Sequence, residues 1–211
     1  MNDNMQPRLD GVRLGIYGGT FSPPHIGHLR AALALCSLGD IDRVLVIPAA
    51  IPPHKRLCGE DEPRRRLDML KIALSGAMAQ NSKLDVSDYE IQKSGASYTY
   101  LTLQHFHSLG CRDITFLCGG DMFSTLGVWR CPEVIFSLAR IAYVARGRDG
   151  LDAITNGYRE RFGARILPLE MERTPISSSE VRRALAEGRD VSRWLDSGVI
   201  KYIKEHHLYG S

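Results

Sequence analysis

Short apolar runs alternate with stretches of helical periodicity along almost the whole chain. Val12–Tyr17 (VRLGIY), Arg43–Pro48 (RVLVIP), Asp113–Cys118 (DITFLC), Ile141–Ala145 and Arg165–Leu169 each have the length of a strand. Their β-branched content suits strands buried on both faces of a parallel sheet. Between them the spacing predicts helices over Ile26–Leu38, over Arg65–Leu74 with Pro63 as a start signal, over Tyr100–Leu109 and over Asp152–Phe162. Leu84–Val86 and Tyr89–Ile91 read as short strands near an edge. From Ser178 to Leu208 the pattern is that of two or three short helices broken at Gly188 and Gly198.

This alternation argues for an α/β fold built on a doubly wound parallel sheet. We expect one domain over residues 12–211, closing with helices from about 178, after a polar lead-in at 1–11 that reads as disordered. Repeats, low-complexity segments and linkers are not evident. Sheets of this class bind ligands beyond the carboxyl ends of their strands, near a switch in strand order. Two glycine pairs, Gly18-Gly19 and Gly119-Gly120, follow strands at those ends.

Composition narrows the classes. The 211 residues, 44% hydrophobic and 24% charged, suit one soluble domain. A net charge of +3 is too small to imply nucleic-acid binding and suits an enzyme with small anionic ligands. The five cysteines, Cys36, Cys58, Cys111, Cys118 and Cys131, contain no C-x-x-C pair, which disfavours a zinc ribbon or redox dithiol. Scattered thiols of this kind fit a reducing cytoplasm. The N-terminus lacks an apolar signal core, and no run approaches the roughly 18 apolar residues of a membrane span.

The candidate chemistry is concentrated in residues 18–28, GGTFSPPHIGH. A strand runs into a Gly-Gly turn and then into His25 and His28, whose three-residue spacing puts them on one face of the first turn of a helix. Gly27 leaves room for a phosphate, and the helix N-terminus is expected to offer it free N–H groups. Two imidazoles there can donate to a phosphate chain and stabilise charge developing in a transition state. The same H-x-x-H spacing also occurs in metal pairs and capped helix starts.

A second signal is Ile176-Ser177-Ser178-Ser179-Glu180-Val181-Arg182. Ser177 with Glu180 fits a capping box. Hydroxyls and N–H groups at a helix N-terminus, with Arg182 one turn inside it, also make a phosphate clamp suited to the β- and γ-phosphates.

Taken together, these motifs resemble the bacterial nicotinate-nucleotide adenylyltransferases, within the HxGH nucleotidyltransferase superfamily, whose fold is Rossmann-like. The resemblance runs from about Arg13 to the C-terminus through GGTFSPPHIGHL, the loop Ile51–Lys55 (IPPHK), Ser97–Leu103 (SYTYLTL), the GGD turn with Trp129 beyond it, ISSSEVR, and KYIKEHHLY. It implies transfer of AMP from ATP to nicotinate mononucleotide, with Mg²⁺ held mainly by the ATP phosphates. By resemblance, Gly18, Gly19, Thr20 and Phe21 line the nucleotide turn, with Gly27 beside it. His25 and His28 hold phosphates, and Lys55 reaches toward them. Gly119 and Asp121 lie against the adenosine, while Ser177, Ser178 and Arg182 close on the triphosphate. Tyr98 and Thr99 lie near the nicotinate, and Trp129 is an aromatic platform for the pyridine ring. Ser22 stands where the family usually has Asp. The resemblance implies no nucleic-acid or membrane partner and leaves the oligomeric state open.

Other features read as structural. His105, His107, His206 and His207 have no acidic or thiolate partners close in sequence, and Arg64-Arg65-Arg66 reads as a solvated helix face. Two other functions stay open at this level. One is adenylyl transfer to another acceptor such as phosphopantetheine, against which PPHK, SYT and Trp129 speak. The other is a nucleotide-binding protein without activity, against which His25, His28, Lys55 and Arg182 speak. A class I aminoacyl-tRNA synthetase shares the HIGH string, but this chain lacks a KMSKS-like loop and is too short for an anticodon domain.

Overall fold

A computed structural model describes residues 8–53, 62–144, 150–171 and 174–210. Six strands, β1 (Arg13–Gly19), β2 (Arg43–Pro48), β3 (Leu84–Val86), β4 (Asp113–Gly119), β5 (Ala139–Val144) and β6 (Ile166–Leu169), form one sheet in the order β3-β2-β1-β4-β5-β6. Every neighbouring pair is parallel. The chain winds outward from β1 in one direction and from β4 in the other, so the switch in strand order lies between them.

Each central strand feeds both faces with a period of two. On one face Leu14, Ile16, Leu45, Ile47, Ile114, Phe116, Ile141 and Tyr143 share a core with Leu103, Phe106, Phe123 and Phe136. Those partners come from α4 (Thr99–Ser108), α5 (Gly120–Thr125) and α6 (Pro132–Leu138), with α7 (Asp152–Phe162) at the margin. On the other face Tyr17, Val44, Val46, Leu117 and Ala142 meet α1 (Ile26–Cys36) and α2 (Pro63–Gln80) through Ala31, Ala32, Leu35, Leu70 and Leu74. Helix α1 sits so close to β1 that a Cβ on Gly15 would come within 2.9 Å of Leu35. Truncating the fully buried Leu35 to Ala would cost about 2–5 kcal/mol.

The tail forms α8 (Ser178–Ala186), α9 (Ser197–Glu205) and a closing 3-10 turn, packed through Val181, Ala184, Val199 and Ile203 onto Met69 of α2. Gly188, at φ +66°, adopts the left-handed conformation that lets the chain leave α8. Gly198 does not break the chain. It lies inside the first turn of α9, capped by Asp196 (N–H to Oδ1, 2.7 Å), where a Cβ would come within 2.8 Å of Ile72. The expected strand at Tyr89–Ile91 is instead a short helix, α3 (Tyr89–Gln92), because Ile91 and Gln92 both return their N–H groups to Asp88. Nor is Arg66 part of a solvated face. It is fully buried, three and four residues before the core residues Met69 and Leu70.

No helix among the described residues is long and apolar enough to cross a membrane.

Candidate active site

The switch in strand order lies at the carboxyl ends of β1 and β4, where sheets of this class bind ligands. A Cβ on Gly19 would strike the Phe21 ring at 2.7 Å, so glycine is required for Phe21 to fold back over the strand end. Phe21 itself is buried at φ +52°, a strained conformation for an aromatic residue costing about 1–3 kcal/mol. Its ring is held edge-on against Tyr17 (5.4 Å) and His28 (5.0 Å). Across the switch point, Gly119 faces open space, while a Cβ on Gly120 would press on the Val144 carbonyl at 3.2 Å. Asp121 follows in the exposed first turn of α5.

His25 and His28 come together with ring centroids 3.7 Å apart. They cap the helix reciprocally. The Gly27 N–H donates to His25 Nδ1 (3.2 Å), and the His25 N–H donates to His28 Nδ1 (3.1 Å). A nitrogen that accepts cannot carry the proton, so in each neutral ring the proton resides on Nε2. Burial reinforces this at His25 by pushing its pKa down to about 4, against a smaller upward pull from Glu180.

One expectation about this helix fails. Its first-turn N–H groups are not free for an anion. Ile26 donates to the Trp194 carbonyl (2.8 Å), Gly27 to His25, and His28 to the His25 carbonyl (2.8 Å). Gly27 is correspondingly a requirement of the imidazole: a Cβ there would lie 3.0 Å from His25 Cε1. These backbone donors are consumed within the fold.

The second motif docks on the first. Arg182 Nη1 donates to the Ser22 carbonyl (2.6 Å) and Nη2 to Ser179 Oγ (3.2 Å), while Ser178 Oγ donates to the Pro23 carbonyl (3.0 Å). Ser177 forms the expected capping box with Glu180, its Oγ accepting from the Glu180 N–H (3.2 Å) and its N–H donating to Oε2 (2.8 Å). Ser22 is buried, and its backbone carbonyl rather than its side chain receives Arg182. Arg30 reaches over to Thr174 Oγ1 (3.1 Å).

Tyr98 and Thr99 open α4, whose first turn has no side-chain cap. Arg130 stacks on the Tyr98 ring (4.8 Å to the centroid), bringing the Trp129 segment against α4. Trp129 is half-buried against the core, with its indole N–H donating to Thr125 Oγ1 (3.2 Å), so one indole face belongs to the interior. Lys55 and Cys58 lie outside the described residues.

Comparison with known proteins agrees with this geometry. A cytidylyltransferase-like family model matches residues 16–184. A probable nicotinate-nucleotide adenylyltransferase of Roseiflexus sp. (strain RS-1) is 37% identical over 204 residues, covering 95% of this chain and all of that one. The chain belongs to the nicotinate-nucleotide adenylyltransferase family. A probable family member of Thermus thermophilus is 35% identical over 94% of this chain and the whole of its own. Among solved structures, a Plasmodium falciparum nicotinic acid mononucleotide adenylyltransferase complexed with NaAD superposes with a TM-score of 0.79. It is 23% identical and covers 94% of this chain and 97% of that one, a likeness of fold.

Sequence reasoning about this adenylyltransferase overlooked three groups around the site. Arg66 donates to the carbonyls of Thr20 (2.8 Å) and Ala50 (3.0 Å). Its phase relative to Met69 and Leu70 was a signal that it faces inward. Glu90 is buried beneath the start of α4, accepting from Thr102 Oγ1 (2.6 Å). The Trp194 carbonyl on α1 had no signal, because a backbone acceptor carries no sequence mark.

Proposed function

We propose that the protein transfers AMP from ATP to nicotinate mononucleotide, yielding nicotinate adenine dinucleotide and pyrophosphate in NAD biosynthesis. The observation that carries the reading is the reciprocal imidazole cap, which brings the His25 and His28 rings together at the start of α1.

The mononucleotide phosphate attacks the α-phosphorus of ATP in line. A new P–O bond forms as the α–β bridging P–O bond breaks, and pyrophosphate leaves with the electron pair. No covalent nucleophile on the protein is needed, since positioning and charge stabilisation carry such transfers. His25 and His28 donate to the phosphate chain as neutral rings, moving no proton themselves. Removing one such preorganised donor typically costs about 10²–10³ in turnover.

Gly18, Gly19, Thr20 and Phe21 line the nucleotide turn, with Gly119 and Asp121 against the adenosine. The family resemblance assigns Lys55 to the phosphates as well. Arg182, with donors beyond those given to Ser22 and Ser179, closes on the triphosphate together with the helix start at Ser177 and Ser178. Tyr98, Thr99 and Trp129 take the nicotinate. The uncapped first turn of α4 supports this, because helix-start N–H groups suit a carboxylate.

Among the described residues no three His, Cys, Asp or Glu side chains gather to hold a metal by themselves. By the family resemblance the metal is Mg²⁺, which would be held mainly by the ATP phosphates and would neutralise charge there. The free thiols of Cys36, Cys111, Cys118 and Cys131 support a cytoplasmic location.

Pyrophosphate release from ATP, measured with nicotinate mononucleotide, nicotinamide mononucleotide and phosphopantetheine in turn, tests the assignment. Release should be fastest with the nicotinate form. Selective release with phosphopantetheine, or none with any acceptor, would overturn it.

A further inference from the structure

Glu90 is a carboxylate placed inside the protein, 9% exposed, and the transfer chemistry makes no use of it. Burial pushes its carboxyl above the usual range, while hydroxyls of Thr102 and Ser97 and the nearby Lys93 pull the other way. Following its partners leads across the whole site. Thr102 Oγ1 donates to Glu90 Oε1 (2.6 Å), and the Ser97 hydroxyl lies close enough to this carboxyl group to favour its charged form. Ser97 Oγ in turn accepts the Ala50 N–H (2.9 Å), and the Ser97 N–H donates to the Ile51 carbonyl (2.9 Å). On the far side of residue 50, Arg66 takes over, donating from Nη2 to the Ala50 carbonyl (3.0 Å) and from Nη1 to the Thr20 carbonyl (2.8 Å). From Ser97 to Thr20 every link is a hydrogen bond or a peptide unit.

The two ends of this chain of contacts are not arbitrary. Ser97 immediately precedes Tyr98 and Thr99, and Thr20 lies within the Gly18–Phe21 turn. Arg66 is fully buried and Glu90 nearly so, and in such surroundings polar groups are strongly coupled and costly to displace singly. A shift of Ser97 pulls on residue 50, and residue 50 shares one guanidinium with Thr20.

We propose that Glu90, Ser97 and Arg66 are positioning residues forming a buried strut that couples the acceptor turn at Tyr98–Thr99 to the nucleotide turn at Gly18–Phe21. Binding of either substrate then prepares the site of the other. The inference rests on the proposed assignment of those two turns, and thermodynamic linkage requires the coupling to be equal in both directions.

The test is calorimetric titration of a non-reacting α,β-methylene ATP analogue, without and with saturating nicotinate mononucleotide. The wild-type protein should bind the analogue about tenfold more tightly when the mononucleotide is present, within the usual range of coupling between sites. Ser97→Ala should bring that ratio close to one and weaken binding of the analogue alone about threefold, although residue 97 is remote from the phosphates. Ser97→Thr, which keeps the hydroxyl, should restore the ratio. Arg66→Lys, which loses one of the two carbonyl contacts, should also lower it. If Arg66→Lys does not fold, the two Ser97 variants decide the matter. A merely structural role would lower the melting temperature and leave the ratio intact, and that result would overturn the strut. Absence of mononucleotide binding to the wild-type protein would strike at the function, while the effect of Ser97→Ala on the analogue alone would still report on the strut.

Discussion

Arg182 Nη1 donates to the carbonyl oxygen of Ser22 across 2.6 Å, joining the last helical motif to the first turn over 160 residues of sequence. With Ser178 on the neighbouring Pro23 carbonyl, it docks α8 on the turn that follows β1. Replacing Arg182 with Lys keeps the charge but loses the planar fork that serves Ser22 and Ser179 together. We expect turnover to fall roughly tenfold to a hundredfold, with KM for ATP rising and KM for the mononucleotide little changed. Steady-state kinetics with each substrate varied in turn gives the answer, and an equal rise in both KM values would contradict it.

His25 caps the helix and, in the proposed mechanism, donates to phosphate; Asn separates the two roles. Asn caps helices well, so His25→Asn should retain the cap and most of the stability while removing the Nε2–H. The expected outcome is a melting temperature within a few degrees of wild type and a loss of about 10²–10³ in kcat. His25→Ala should lose both. A wild-type turnover in the Asn variant would remove His25 from the transition state.

Gly27 offers a sharper probe of ring placement. Exposed helix positions gain about 1 kcal/mol on replacing Gly with Ala. Here the new methyl would meet His25 at 3.0–3.1 Å and tilt the ring. Gly27→Ala should therefore leave stability nearly unchanged while lowering kcat at least tenfold, an effect of misplaced geometry. Thermal melts beside turnover measurements suffice.

Acid should weaken the fold through His25. Its folded pKa of about 4 lies below the 6.5 of an unperturbed imidazole, because burial penalises the charged form. Between those values the unfolded chain binds a proton that the folded chain refuses. The neutral ring's contribution is fully present above the unfolded value and is lost as pH falls toward about 4. Urea denaturation at about pH 7.5 and about pH 5 should show a larger loss of stability for wild type than for His25→Asn, on the order of 1–2 kcal/mol. An equal loss in both would refute the assignment.

Trp129 packs part of its indole on the core and, in the proposed assignment, offers the rest to the pyridine ring. Trp129→Phe preserves a flat ring and should raise KM for nicotinate mononucleotide only a few-fold, whereas Trp129→Ala should raise it about tenfold or more. Trp129→Ala should also lower the melting temperature, because the ring packs against the sheet-face core.

How far the sequence alone reaches can be judged from particular elements. It marked β2 at Arg43–Pro48 and α7 at Asp152–Phe162 with their observed bounds. A five-residue apolar run behind Arg43 and an amphipathic stretch are local properties. The same holds for the Ser177–Glu180 capping box and for the spacing that puts His25 beside His28. The short helix at Tyr89–Gln92 escaped because four residues hold too little of a period to separate a turn of helix from a strand.

Tertiary structure decided what those local pieces present to a ligand. The first-turn donors of α1 look available in sequence, yet the tail brings the Trp194 carbonyl onto Ile26, and the two imidazoles take up the capping. Arg66 reads as one of three exposed arginines until packing of α2 buries it between Thr20 and Ala50. In both cases the deciding partner is a backbone carbonyl distant along the chain, which any residue type supplies equally. Periodicity and motif spacing determine the strands, the caps and the identity of the reacting side chains. Which of their donors remain free is fixed only when the sheet, α2 and the tail close on one another.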